Sequence, residues 1–145
     1  MQSFGLTSNS VYSTYENNVD DTQSHINDIY MLPNGQLAVV DGVYDIAQSI
    51  RCAIQLWLGE YDYNTSEGVP YRLLLGIQNV NNNLIDYQLR QAIFSVNKNM
   101  TTQQLQIYGV KSIQSVNFTI NKFTRLMTVN SVVLIANGQN IEVNV

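Results

Sequence analysis

The sequence predicts an α+β domain: two main helices packed against a mainly antiparallel C-terminal sheet, with a short N-terminal hairpin before them. Three observations carry this. Apolar residues recur every three or four positions from Val43 to Leu58 and again from about Leu84 to Val96, the period of a helix with one buried face. Val116, Phe118 and Ile120 alternate with Asn117, Thr119 and Asn121, the period of a strand. Near the end, two apolar runs flank Asn137-Gly138, a pair suited to the tight turn of a hairpin.

A length of 145 residues supports one domain with a sizeable core, read as residues 28–145. Residues 1–27 are rich in Ser, Thr, Asn, Gln and Asp with scattered apolar positions, which predicts an arm that is either flexible or ordered by a partner. Ile29–Leu32 and Leu37–Val40 then read as two short strands about Pro33-Asn34-Gly35, ended by Asp41-Gly42. In the first helix the buried stripe is Val43, Ile46, Ala47, Ile50, Ala53, Ile54, Trp57 and Leu58. Asp41 stands near its start and Gly59 at its stop, and Asp45, Gln48, Arg51 and Gln55 are expected mostly on the opposite side. Cys52, the single cysteine, can form no internal disulfide and is expected to be a buried, inert thiol. In the second helix Asn83 is the expected cap, Asp86 takes the capping-box position, and Ile85, Leu89, Ala92, Ile93 and Val96 form the stripe.

A further strand is expected at Leu126–Val129, ahead of the hairpin of Val132–Ala136 with Ile141–Val145. The connector from 59 to 82 is long for a segment without regular structure. Val69–Leu75 is therefore expected to form a short helix or strand on the core.

Charged residues make up only 12% of the chain, whereas Asn and Gln together supply 31 residues, so the polar surface is largely neutral amide and hydroxyl. The usual charged share is about a quarter. Seven basic residues against eleven acidic ones, a net charge of -4, provide no basic field for a phosphate backbone, and nucleic acid is not an expected partner. A surface so poor in charge is compatible with burial against other proteins. The amino terminus MQSFGLTSNS lacks the pattern of a signal peptide, and no run approaches eighteen apolar residues, so no membrane span is expected.

The stretch WLGEYDYNTSEGVPY, Trp57 to Tyr71, concentrates Glu60, Asp62 and Glu67 in this charge-poor chain. Paired carboxylates would suit glycoside hydrolysis only at a defined separation across the bond, which proximity in sequence does not supply. Asp62-x-Asn64-x-Ser66 opens like a calcium loop, but Glu67 stands where that loop needs glycine and Leu73 where it needs a bidentate carboxylate. His25 is the only histidine, without zinc-ligand spacing, and phosphate-binding glycine motifs are absent. No catalytic, cofactor-binding or metal-binding residue is assigned.

The same stretch reads better as a stiff junction. Gly59 ends a helix, Gly68 gives backbone freedom, Pro70 holds Val69 extended, and Trp57 with Tyr61 and Tyr71 packs an apolar base. Glu60 is then fixed to accept hydrogen bonds, either from backbone amides of the turn or from an arginine on a neighbouring subunit.

Short strands, a helix, Gly59-Glu60-Tyr61 at its end, Gly68-Val69-Pro70-Tyr71, and Leu74-Leu75-Gly76 follow in order. That order resembles the baseplate wedge family of contractile-tailed bacteriophages, which includes proteins of type six secretion and related contractile injection baseplates. The resemblance is carried by residues 37–97, continues through the sheet-forming tail, and leaves the first 27 residues outside. This chain has Asn64-Thr65-Ser66 where a proline is common, and it lacks the glutamate-proline-arginine run of some members. The resemblance implies a non-enzymatic structural subunit of a phage or prophage contractile tail, with no cofactor. It would sit in the virion tail baseplate, assembled in the bacterial cytoplasm, contacting other wedge proteins and the tail tube or sheath. Its assembly junction would be Trp57, Gly59, Glu60, Tyr61, Gly68, Val69, Pro70, Tyr71 and Arg72. Some relatives carry a lysozyme label, so a peptidoglycan-hydrolysing tail enzyme is the competing expectation, and a small monomeric protein-binding module is a third.

Overall fold

The computed structural model describes residues 2–4, 34–36, 39–75, 81–121, 123–124 and 126–145. The chain divides into two compact units, Met1–Gln48 and Ser49–Val145, the division falling inside the first helix.

In the first unit, β1 (Gln2–Phe4) pairs antiparallel with β2 (Val39–Asp41), Ser3 opposite Val40. The expected partner of β2 was Ile29–Leu32, which lies outside the described residues, as does most of the 1–27 arm. Asn34 and Gly35 do form a turn, with the Asn34 side chain accepting from the Gln36 N–H. Helix α1 (Gly42–Gln55) follows β2 directly. Its stripe is buried at Ile46, Ala47, Ile50 and Ile54. Asp45 and Gln48, expected to face outward, are buried as well, because each lies within one residue of the stripe and the buried face is wider than apolar spacing alone indicates.

The second unit holds the end of α1 and all later elements. Helix α2 (Tyr71–Leu75) supplies the expected order within the long connector, with Tyr71 and Leu74 buried. Helix α3 (Asn82–Ser95) is capped by Asn81, whose side chain accepts from the Asn83 N–H, and not by Asn83 itself. Asp86, expected in a capping box, instead pairs with Arg90 one turn on, at 2.7 Å; the earlier cap places it inside the helix, where four-residue spacing brings the two charges together. Ile85, Leu89 and Ile93 form the buried face. A 3-10 turn (Val96–Asn99) then leads to α4 (Thr102–Tyr108), a helix not expected from apolar periodicity. It has no buried residue and is set by a reciprocal capping box between Thr101 and Gln104.

β3 (Val110–Asn121), β4 (Leu126–Ile135) and β5 (Asn140–Asn144) form an antiparallel sheet in that order. The two strands expected at 126–129 and 132–136 are one continuous strand. Asn130 and Ser131, between them, pair on both sides, with Asn117 and Val116 of β3 and with Asn144 and Val143 of β5. The Asn137-Gly138 hairpin closes through Gly138 N–H and Ile135 C=O at 3.0 Å. Val129, Val133, Ile135, Ile141 and Val143 bury one face of this sheet, and α3 lies against β3. Among the described residues no helix is long and apolar enough to cross a membrane.

Candidate assembly junction

Helix α1 was expected to run to Leu58 and stops at Gln55. The reason lies in where the next backbone groups go. Leu56 still donates to Cys52 C=O at 3.0 Å, the last helical bond. Continuation would send the Trp57 and Leu58 N–H groups to Ala53 and Ile54. Instead the Trp57 N–H donates to Glu60 Oε2 at 3.1 Å, and the Leu58 N–H donates to Val69 C=O at 2.9 Å. The Ile54 carbonyl released in this way accepts a hydrogen bond from the Tyr71 hydroxyl, and Leu56 C=O accepts from the Val69 N–H at 2.9 Å. Two of the C-terminal carbonyls that a helix leaves orphaned are thus taken up by Val69 and Tyr71, from midway along the connector.

Each expected junction residue has a definite place. Gly59, at φ +86°, occupies the third position of a turn closed by Glu60 N–H to Trp57 C=O at 3.0 Å, the position that needs a left-handed residue. Gly68 is held more tightly. A Cβ there would stand 2.6 Å from the Trp57 carbonyl carbon and oxygen and 2.7 Å from the Leu58 nitrogen, and its φ is +112°. Val69 is buried and forms a single parallel bridge with Trp57. Pro70 keeps it extended and then opens α2, its carbonyl accepting from the N–H groups of Leu73 and Leu74 at 3.0 Å each. The Trp57 and Tyr71 rings meet at 5.7 Å. Burial pushes the Tyr71 hydroxyl up to about 12. Arg72 is exposed on α2.

Tyr61 does not join the aromatic base. It is exposed and packs on Tyr63, ring centroids 5.6 Å apart, because the turn at 57–60 redirects the chain away from the end of α1. Trp57 and Leu58, once outside the helix, are also exposed rather than part of its buried stripe. Cys52 is exposed too, on the side of α1 away from Ile50 and Ile54. Partial burial raises its thiol pKa and the Arg51 charge lowers it to a lesser extent.

The three acids do not converge. Glu60 serves the Trp57 amide. Glu67 Oε1 accepts from Asn64 Nδ2 at 2.9 Å, while Asn64 Oδ1 accepts from the N–H and hydroxyl of Ser66 at 3.3 and 2.6 Å. Asn64 and Ser66 therefore build an Asx turn. Among the described residues no cluster of three or more His, Cys, Asp or Glu has the makings of a metal site.

Residues 14–138 match the family described as the contractile injection system sheath initiator. The chain belongs to that family. The sheath initiators are a structural, contractile-tail baseplate family and not one known for enzymatic activity. The match begins at residue 14, inside the segment read as an arm, and runs into the terminal hairpin. No curated protein matches the chain.

One residue that organises the sheath initiator's sheet was not singled out by its sequence. The Asn97 side chain donates to Val110 C=O at 3.0 Å and its Oδ1 accepts from the Val110 N–H at 2.8 Å. It thereby pairs with the first residue of β3 as a neighbouring strand would. In an Asn-rich chain nothing marks this asparagine out. The capping box of α4, by contrast, has a sequence signal, Thr101-x-x-Gln104, which the reading by apolar periodicity passed over.

Proposed function

We propose that this sheath initiator is an inner-baseplate assembly subunit that starts the sheath by accepting β-strands of neighbouring subunits along the open edge of its sheet. The observation supporting this is the edge itself. β3 is twelve residues long and lies at one side of a three-stranded sheet. Asn97 covers Val110 at its start, and from Ser112 to Asn121 the strand has a sheet partner on the β4 side alone among the described residues. A long exposed edge is a ready template for strand addition. The junction from Trp57 to Arg72 is the second contact surface, turned toward other wedge proteins or the tail tube. Residues 28–145 act as the working domain and 1–27 as an arm ordered by a partner, in a chain that joins the baseplate in the host cytoplasm and catalyses nothing.

Hydrogen exchange on the full chain, alone and with sheath subunits of its own contractile system, tests this reading. Alternate backbone amides of β3 should exchange rapidly in the free protein and become protected when sheath subunits are added. Unchanged exchange along both outer strands, β3 and β5, in a mixture that forms sheath would rule the proposal out.

A further inference from the structure

Helix α3 turns Ile85, Leu89 and Ile93 inward and lies against β3, but it carries a second line of apolar residues. Between 84 and 94 the exposed positions are Leu84, Tyr87, Gln91 and Phe94. Their spacing of three, four and three residues sets them along one side of the helix. Leu84, Tyr87 and Phe94 are 40%, 55% and 39% exposed, where the outward side of a surface helix is ordinarily charged or polar. The two charges of α3, Asp86 and Arg90, stand beside this line and pair with each other at 2.7 Å.

We infer that this line is a contact for a second copy of the chain, the two α3 helices packing antiparallel about a twofold axis at the level of position 89. Two features select that occupant. The spacing is its own reverse about 89, so a reversed helix sets Leu84 against Phe94 and Tyr87 against Gln91. The same contacts recur on the other side of the axis, as a self-complementary interface requires. The outer layers are then apolar, and the inner ones offer each Tyr87 hydroxyl the amide of Gln91 from the second copy. The charges obey the same symmetry. Asp86 and Arg90 share one flank of the line, and in an antiparallel pair that flank meets its own copy in reversed order. Each Asp86 approaches Arg90 of the second copy, and the four groups alternate in sign. A parallel pair would set this flank against the opposite one, where Gln88 and Ser95 supply no charge; flanking charges of this kind fix the orientation of paired helices. The line itself is uncharged and its flank is balanced, so a strongly acidic or basic partner gains nothing from it.

One helix from each copy makes an interface below the standard size for a stable complex, so the pair should form reversibly with concentration. Sedimentation equilibrium on the full chain, from about 1 µM to 1 mM, should show monomer and dimer in exchange. Tyr87→Asp and Phe94→Asp should each weaken the dimer at least about tenfold, with the thermal midpoint of the dilute monomer unchanged because both side chains are exposed in the single copy. Orientation has its own readout. In a Cys52→Ser background, Leu84→Cys and Phe94→Cys chains mixed in equal amounts and oxidised should join position 84 to position 94 in excess of either like-to-like pair. A chain that stays monomeric throughout, a dimer unaltered by both aspartate variants, or cross-links mainly between like positions would overturn the assignment. The exchange test of β3 uses sheath subunits and reads different amides, so either result stands without the other.

Discussion

The sheet and the junction hold the chain by opposite means. In the sheet, β4 pairs with β5 and, beyond two irregularities between Val110 and Ser115, with β3 in a repeating backbone ladder, and alternation of buried and exposed side chains along β4 and β5 fixes the register. In the junction, residues 56–70 have no repeating ladder; each link is made by a particular residue, such as Gly68 at the Trp57–Leu58 peptide or Tyr71 at Ile54. A ladder shares its stability among many equivalent bonds, whereas a junction of single links concentrates it. Substitutions that are small in volume should therefore cost more in the junction than along the regular strands.

Gly68→Ala tests this most severely. The added Cβ would meet backbone atoms of Trp57 and Leu58 at 2.6 to 2.7 Å in a left-handed conformation, and backbone cannot step aside as a flexible side chain does. The expected loss is at least about 3 kcal/mol, read by chemical denaturation. Ala at Gly59, where nothing lies within 4 Å of the added carbon, should cost only the conformational share, about 1 kcal/mol. Equal losses at the two glycines would break the comparison.

Asn97→Ala asks whether the sheet also has a concentrated link. It strips partners from the N–H and C=O of Val110, which is buried, and should cost about 2 kcal/mol. Faster amide exchange should be confined to the start of β3. A loss spread evenly through β4 and β5 would mean that Asn97 supports the whole sheet and not one end of its edge.

The same contrast explains what the sequence made legible. Periodicity and the Asn137-Gly138 turn located α1, α3 and the terminal hairpin because these elements repeat one local rule. The junction residues were identifiable by type, since Gly59, Gly68 and Pro70 have distinctive backbone requirements. Their partners were not, because Tyr71 reaches Ile54 across 17 positions and no local pattern encodes that reach. The end of α1 was misplaced for the same reason: Trp57 and Leu58 have helical spacing, but Glu60 and Val69 capture their amides. Burial of Asp45 and exposure of Cys52 likewise depend on tertiary surroundings that residue type does not specify.

Tyr71→Phe removes the hydroxyl from the Ile54 carbonyl while keeping the ring against Trp57. The expected loss at neutral pH is about 1 to 1.5 kcal/mol. A second signature is alkaline. With the folded hydroxyl raised from 10.0 to about 12, both states stay protonated below pH 10. Between pH 10 and 12 the unfolded chain releases the proton first, so the native state binds more protons and stability falls as pH rises. The wild type should lose stability more steeply than the phenylalanine variant across that window. Parallel curves would show that the hydroxyl titrates normally and is not sealed into the junction.

Glu60 has the smallest expected effect on folding, because its hydrogen bond to the Trp57 N–H is exposed. Glu60→Ala should cost about 0.5 to 1 kcal/mol, and Glu60→Gln, which keeps an acceptor, about half as much. The amide of Trp57 should exchange faster in the alanine variant, since that is the link removed. Comparing thermal melting of the isolated chain with its incorporation into baseplates then separates two roles. A variant that melts early but incorporates normally assigns Glu60 to the junction's interior; one that melts normally but fails to incorporate assigns it to a partner. Wild-type behaviour in both measurements would remove Glu60 from the junction and leave Gly68, Val69 and Tyr71 to hold the end of α1 alone.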